Sequence, residues 1–104
     1  MGSAMFRFER TIDVKTVADM PAAMQFAGEV TAYLNKAHSL NMKFGAEAYG
    51  AWRIHWFYEF ESLDKSAAVG MALLQDRAYL DMLNKAKGHM VEGSLKDTLV
   101  TLAN

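Results

Sequence analysis

The sequence predicts an α+β fold in which an antiparallel sheet of four strands carries helices on one of its faces. Three features support this prediction. Apolar and polar residues alternate along the run AWRIHWFYEFES, apolar residues recur at helical spacing in two longer segments, and Gly, Asn or Ser residues stand between these elements. Alternation with a period of two is typical of a half-buried strand, and a period near 3.6 is typical of an amphipathic helix.

The N-terminal part is predicted to form a strand and then a helix. Met5 to Ile12 alternates and is rich in residues that favour strands. Asp19 is a suitable N-cap, and Pro21 fits the first helical turn, where its missing N–H does no harm. Apolar residues then recur at helical spacing as far as Leu40, and Asn41 can adopt the left-handed conformation that ends a helix.

Two strands are predicted next. Residues 42–49 form the weaker one, and Gly50 supplies the turn into the run that begins at Ala51. One face of this third strand carries Trp52, Ile54, Trp56, Tyr58 and Phe60, and the other carries Arg53, His55, Phe57 and Glu59.

The C-terminal part is predicted to form a second helical segment and a last strand. Ser62 caps this segment, and Asp76 restarts it after a break. Its inward side is predicted to include Leu63, Ala67, Val69, Met71, Leu73, Leu74, Tyr79, Leu80 and Leu83. Gly88 is suited to end the helix, and Gly93 and Ser94 turn the chain into a strand over 95–102.

The resulting order, β-α-β-β-α-β, is that of a ferredoxin-like fold, with the first and third strands adjacent at the centre. The helices are expected to cover Phe6, Phe8, Phe44, Ile54, Trp56, Tyr58 and Phe60. The opposite face would carry Arg7, Glu9, Thr11, Lys43, Glu47, Tyr49, Arg53, His55, Phe57, Glu59, Lys96 and Thr98. Water or a second sheet could cover that polar face, since antiparallel sheets often have one solvated side.

Composition excludes several classes of protein. The chain has 104 residues, 52% of them hydrophobic, and a net charge of −1, which predicts one globular domain over 5–102. The charge argues against a nucleic-acid partner, and no apolar run is long enough to cross a membrane. No cysteine is present, so thiol chemistry is excluded, and a cytoplasmic location is expected. Residues 1–4 are expected to be disordered or derived from expression.

Three segments carry a resemblance to a known group of proteins. They are HWFYEFESLDKSAAV, LLQDRAYLDMLNKAKG with its Asp-x-x-Tyr-x-x-x-Leu spacing, and EGSLKDTL before the last strand. From about Met5 to Leu102 the chain resembles the dimeric α+β barrel superfamily, most of all its NIPSNAP-type and other uncharacterised small members. The resemblance implies a homodimer in which two sheets pack face to face and a small-molecule ligand lies in the barrel between them.

His55 is the best candidate for a catalytic residue. It shares the polar face with Arg53 and Glu59, and the neighbouring strand brings Arg7 and Glu9 to the same face. A histidine held by a carboxylate can act as a general base, and an arginine can stabilise an oxyanion. The alternative is that His55 only pairs with a glutamate to stabilise the interface. Tyr49 and Phe57 complete the set of candidate ligand-binding residues.

The remaining motifs predict little chemistry. His38 suits a helix C-terminus, His89 follows Gly88 in a loop, and the histidine spacing gives no metal site. Nucleotide-binding glycine motifs and a nucleophile elbow are absent, and no cofactor is expected. An RNA-recognition domain shares the element order, but the glutamates on the polar face would repel phosphate.

Two functions remain open. The first is a protein that binds a small carbonyl-bearing, aromatic or acyl ligand without catalysis. The second is a cofactor-independent enzyme of the monooxygenase or polyketide-cyclase type, of which the resembled superfamily has examples, with His55 moving protons.

Overall fold

The computed structural model describes residues 5–103, and its elements follow the predicted order with the second helical segment divided in two. The strands are β1 (Met5–Asp13), β2 (Lys43–Ala46), β3 (Arg53–Phe60) and β4 (Lys96–Leu102). The helices are α1 (Met20–Ala37), α2 (Leu63–Leu74) and α3 (Arg77–Ala86), and short 3-10 helices span Val17–Asp19 and Lys87–His89. The expectation for residues 1–4 lies outside the described residues. No helix of the described part has both the length and the apolar character that a membrane crossing requires.

The four strands form one antiparallel sheet in the order β2-β3-β1-β4. The ferredoxin-like fold and the central position of β1 and β3 are therefore confirmed. In the β1–β3 register Glu9 lies opposite Phe57 and Thr11 lies opposite His55. Residues that lie opposite each other point to the same side of a sheet, so this register assigns both faces.

The core lies between α1 and the helix-facing side of the sheet. Ile54 is 0% exposed, and Trp56 and Tyr58 are also buried, as the alternation in β3 predicts. From α1, the buried residues are Ala23, Ala27, Val30, Thr31 and Leu34. Gly28 of α1 faces Phe44 of β2, and a Cβ added there would make an ordinary van der Waals contact with the ring at 3.5 Å.

The predicted apolar side of α2 is buried only in part. Val69 and Leu73 are half-buried, and Leu73 packs against the core. No residue of α2 is fully buried, and Leu63, Met71 and Leu74 are each at least half exposed. In α3, Tyr79 is buried as predicted, but Leu80 and Leu83 are exposed. Apolar periodicity predicts a helix correctly, but it cannot tell whether a neighbouring element is close enough to cover the apolar side.

The caps were predicted in part. Ser62 accepts a hydrogen bond from the Lys65 N–H, and Asp76 accepts one from the Tyr79 N–H, as expected. Asp19 occupies the N-cap position of α1 but caps no helical N–H, because its carboxylate is hydrogen bonded to the side chains of Thr16 and His89.

Three predicted element ends are wrong. Helix α1 ends at Ala37, and the left-handed residue that follows is Ser39, with φ 54°, instead of Asn41. Gly88 lies within the 3-10 helix that follows α3. Strand β2 ends at Ala46, so the bend that contains Gly50, with φ 114°, begins earlier than predicted.

Two aromatic residues lie outside the strands to which the alternation assigned them. Tyr49 is 95% exposed and lies outside the sheet, so it does not belong to the polar face. Trp52 precedes β3 and is half exposed, although the alternation assigned it to the core face. In both cases the alternation of residues in the sequence continues past the residue at which the strand ends.

Candidate functional site

Two concave surfaces of the described residues, one on each side of the sheet, are considered as candidate sites. The side without helices is here named the open sheet face. A depression of about 380 Å³ on this face is lined by Glu9, Thr11, Asp13, Arg53, His55, Ser94, Lys96 and Thr98. The side beneath α2 and α3 contains a larger opening, described below.

His55 lies at the centre of the open sheet face and is held by two carboxylates. Its Nδ1 is 2.9 Å from Glu9 Oε1, and its Nε2 is 2.9 Å from Glu47 Oε2. An ionised carboxylate only accepts hydrogen bonds, so these two contacts favour the imidazolium form, in which both ring nitrogens donate.

The pKa values agree with this charged arrangement. The hydrogen bond to Glu9 raises the pKa of His55, and the hydrogen bond to Glu47 adds to that effect. The hydrogen bond from His55 lowers the pKa of Glu47. A histidine in this state has no free lone pair, so it can act as a general base only after it has lost a proton.

Arg53 extends the network toward the end of the sheet. Its Nε donates to Asp13 Oδ1 at 2.7 Å, and its Nη1 donates to Glu47 Oε2 at 3.0 Å. The hydrogen bond to Asp13 raises the pKa of Arg53. Three carboxylates and two cations therefore pair in one network on this face, with one negative charge in excess.

The other predicted site residues divide into two groups. The Arg7 guanidinium stacks on the Phe57 ring, 4.3 Å from its centroid, and Glu59 lies opposite Arg7 in the register. These three residues share the face with His55. Tyr49 does not, because it lies in the bend after β2.

The larger opening is here named the helix-side cleft, and it has a volume of about 880 Å³. Its walls come from the sheet, α1, α2 and α3, and they are mostly apolar. Aromatic and aliphatic wall residues include Phe8, Ile12, Phe26, Trp56, Tyr58, Val69 and Leu73. No side chain of α2 is fully buried, and Val69, Gly70 and Leu73 of this helix line the cleft.

Three polar residues meet at one wall of the helix-side cleft. Arg10 forms a bidentate pair with Asp97, through Nε to Oδ1 at 2.7 Å and Nη2 to Oδ2 at 2.9 Å. Its Nη1 donates to the Tyr79 hydroxyl at 3.1 Å. The hydrogen bond to Asp97 raises the pKa of Arg10, which therefore stays a cation.

A separate cluster joins α1 to the start of α3. The Asp76 carboxylate accepts from the Tyr33 hydroxyl at 2.7 Å, and it lies 2.7 Å from His38 Nε2. The Tyr33 hydrogen bond, followed by that of His38, lowers the pKa of Asp76 to about 2. All of its oxygens are engaged within the fold, so the cluster has a structural role.

Sequence reasoning missed several residues of these two surfaces. Asp13 continues the alternation of β1 two positions after Thr11, which is a signal that could have found it. Arg10 stands between Phe8 and Ile12 on the apolar side of the same strand. A charged residue at an inward position is a recognisable exception to the pattern.

In residues 5–103, no group of three or more His, Cys, Asp or Glu side chains is arranged to hold a metal ion.

Comparison with known proteins gives a likeness of fold. No family model matches the sequence, and no curated protein matches it. Among solved structures, a NIPSNAP family protein of unknown function from Agrobacterium tumefaciens has a TM-score of 0.81 at 22% identity. The match covers 99% of this chain and 92% of that one.

Two further structures are similar along nearly their whole length. A dimeric ferredoxin-like protein from an uncultured marine organism has a TM-score of 0.71 at 11% identity and covers 99% of this chain and 90% of its own. A candidate antibiotic biosynthesis monooxygenase from Caulobacter crescentus has a TM-score of 0.71 at 11% identity, over 98% and 92% of the two chains. These comparisons confirm the ferredoxin-like fold and the structural resemblance to NIPSNAP-type proteins.

Proposed function

We propose that the protein binds a small ligand with an aromatic or acyl body and a carbonyl-bearing end, and that the ligand lies in the helix-side cleft. The observation that carries this proposal is the cleft itself. Ligand sites typically measure 300–1,000 Å³ and are lined mainly by apolar and aromatic side chains with a few polar groups, and a cleft of about 880 Å³ fits that description. Protein interiors are otherwise packed without large voids.

The cleft suits an apolar body better than the open sheet face does. Aromatic side chains line it from two sides, with Phe26 in α1 and Trp56 in β3 in edge-to-face contact. Burying apolar ligand surface there is favourable by roughly 25 cal/mol per Å². A ligand between two sheets, which the resemblance implies, would instead face the smaller depression that is lined largely by charged groups.

The open sheet face is proposed as the surface that forms a homodimer. Its charges are already paired with one another, which lowers the cost of removing them from water. It also presents Phe57 and the exposed side chain of Val100 toward the partner. The marine ferredoxin-like protein with the same fold is described as dimeric. Light scattering at micromolar concentration should give about twice the monomer mass of 11.6 kDa, and a monomer mass would contradict the proposal.

An enzyme of the monooxygenase or polyketide-cyclase type is the second candidate. The Caulobacter protein with a similar fold supports this class. In such an enzyme His55 would be the group that transfers protons. Because both of its nitrogens donate to carboxylates, catalysis through His55 should appear only above the raised pKa of this residue. Binding without catalysis needs no such change of state and is therefore preferred. A cytoplasmic location stays a prediction.

Two glycines provide a matched test of where the ligand lies. Gly70 lines the helix-side cleft, and Gly45 lies opposite His55 on the open sheet face. A Cβ at either position would meet no other heavy atom within 4 Å, so a side chain can begin at both positions without a clash. The Gly70→Leu variant fills the cleft, and the Gly45→Leu variant fills the other face.

The test uses 2-acetonaphthone as a probe, with calorimetric titration and light scattering on the same samples. The proposal expects Gly70→Leu to weaken binding strongly and Gly45→Leu to leave it close to wild type. If Gly45→Leu alone removes binding while the oligomer mass is kept, the ligand lies between the sheets. If the wild-type protein does not bind the probe at millimolar concentration, the proposed function is wrong for this ligand class.

A further inference from the structure

We propose that Tyr79 and Arg10 form the polar end of the helix-side cleft, and that they select ligands by a neutral oxygen acceptor such as a ketone carbonyl. This inference rests on the proposed function, because it assumes that a ligand occupies the cleft. It adds the chemical group that is recognised and the residues that recognise it.

The residues are brought together by the sheet register. Trp56 in β3, Arg10 in β1 and Asp97 in β4 lie directly opposite one another, so they form one row across the helix-facing side. Tyr79 reaches this row from α3 and is bonded to Arg10. All four residues line the cleft. The row therefore connects the sheet to α3, the helix that contributes Tyr79 to the cleft.

Tyr79 has a hydrogen that no group in the described part of the chain accepts. Its hydroxyl oxygen accepts from Arg10 Nη1 at 3.1 Å, and none of the hydrogen bonds among residues 5–103 uses the hydroxyl as a donor. The residue is only 6% exposed. A tyrosine hydroxyl can donate and accept at the same time. A bond from a cation to its oxygen makes the hydroxyl a better donor.

Arg10 adds a second set of donors at the same wall. A guanidinium has five N–H groups, and three of them are used by Asp97 and Tyr79. The two others are available to an acceptor in the cleft. The Asp97 carboxylate cancels the positive charge at short range, so the pair attracts a dipole more than it attracts an anion.

The indole of Trp56 provides an independent sign that the row lacks an acceptor. Its N–H has almost no accessible surface and no hydrogen-bond partner in the structure. Buried polar groups are usually paired, so an isolated donor is an exception that calls for an explanation. A ligand oxygen that accepts from Tyr79 or Arg10 would lie in the same row as Trp56, and a rearrangement of the indole on binding would give this N–H an acceptor.

Taken together, the row offers donors from three side chains, and its only carboxylate is already bonded to Arg10. An oxygen with lone pairs and no full charge suits that arrangement best. A carboxylate ligand would approach Asp97 and be repelled, and a ligand without oxygen would leave the donors unpaired.

The test compares three ligands that share one naphthalene body. They are 2-acetonaphthone, 2-ethylnaphthalene and 2-naphthoate, and calorimetry measures their Kd values. The ketone should bind about 10-fold more tightly than the hydrocarbon, which is the usual effect of one well-placed hydrogen bond. In Tyr79→Phe that advantage should disappear, while the Kd of the hydrocarbon stays unchanged. Tyr49→Phe, in the exposed bend, is the matched control and should behave as wild type.

Asp97→Asn provides a second variant that tests the charge argument. Without its carboxylate the row keeps the Arg10 charge, so 2-naphthoate should gain affinity relative to the ketone. The indole N–H signals report the site by proton–nitrogen NMR. The Trp56 signal should shift when the ketone binds and shift less with the hydrocarbon. Trp52 is half exposed and does not line the cleft, so its signal serves as an internal reference.

The outcomes separate this inference from the proposed function. Equal binding of ketone and hydrocarbon by the wild-type protein would overturn the inference and leave the cleft as a ligand site. Equal weakening of all three ligands in Tyr79→Phe would show a packing role and also overturn it. Failure of every naphthalene to bind would contradict both proposals.

Discussion

The assignment of the two sheet faces predicts a large difference between two adjacent residues, Arg53 and Ile54. Ile54 is 0% exposed and lies in the core, whereas the Arg53 side chain is about one third exposed on the open sheet face. Replacing a buried isoleucine by alanine costs about 2–5 kcal/mol, because it removes apolar contacts and leaves a cavity. Replacing Arg53 removes two ion pairs that water and salt already screen, so Arg53→Ala should cost much less.

This loss in the free energy of unfolding can be converted into a change in the melting temperature, Tm. In a domain of this size, 1 kcal/mol corresponds to about 4–8 °C, so Ile54→Ala should lower Tm by at least about 8 °C. Ile54→Val should cost only about 0.5–1.5 kcal/mol and gives a graded control. Thermal unfolding followed by circular dichroism, at one protein concentration for all variants, measures both changes. A Tm loss in Arg53→Ala that equals the loss in Ile54→Ala would refute the assignment of the faces.

Four further predictions concern single residues. The pKa of Asp76 is lowered to about 2, so the stability that its ionised carboxylate contributes is present above the ordinary Asp pKa and is lost as the pH falls toward 2. The Tm of the wild type should therefore fall more in acid than the Tm of Asp76→Asn. The pKa of His55 is raised, so its stabilising contribution is present in full below about pH 6.5 and is lost as the pH rises through the folded-state pKa. The Tm difference between wild type and His55→Gln should therefore shrink as the pH rises above about 6.5. Gly70→Ala should raise Tm, because alanine is favoured over glycine inside a helix by up to about 1 kcal/mol. By contrast Gly50→Ala should lower Tm, since φ is 114° and the new Cβ would lie 2.7 Å from a carboxylate oxygen.

Specific results would contradict these predictions. Tm differences that do not change with pH would show that Asp76 or His55 has the same pKa in the folded and unfolded chains. A Tm that falls in Gly70→Ala would show that this side of α2 has no room for a methyl group.

The parts of the fold that the sequence predicted are those in which local pattern and burial agree. The period of two in β3 predicted Ile54, Trp56 and Tyr58 as core residues because one face of that strand is buried along its whole length. The caps Ser62 and Asp76 were predicted because a side-chain oxygen before a helix acts over three residues. Local physics determines both features.

The parts that were not predicted depend on distant neighbours. Arg10 and Asp97 are 87 positions apart, and neither residue alone indicates an ion pair in the helix-side cleft. Glu47 was assigned to the polar face, but its bond to His55 depends on how β2 bends after Ala46. The burial of α2 depends on how close the helix lies to the sheet, and the pattern of apolar residues in α2 does not indicate that distance.

The exposed position of α2 has a consequence for how a ligand reaches the cleft. A helix of 12 residues is marginal in water by itself, and this one packs on the core only through half-buried side chains such as Leu73. Its amide hydrogens should therefore exchange with solvent through a local opening that requires less free energy than unfolding the sheet. If α2 opens in this way, entry into the cleft is limited by the rate at which the helix detaches, and association can be slow even where the final affinity is high.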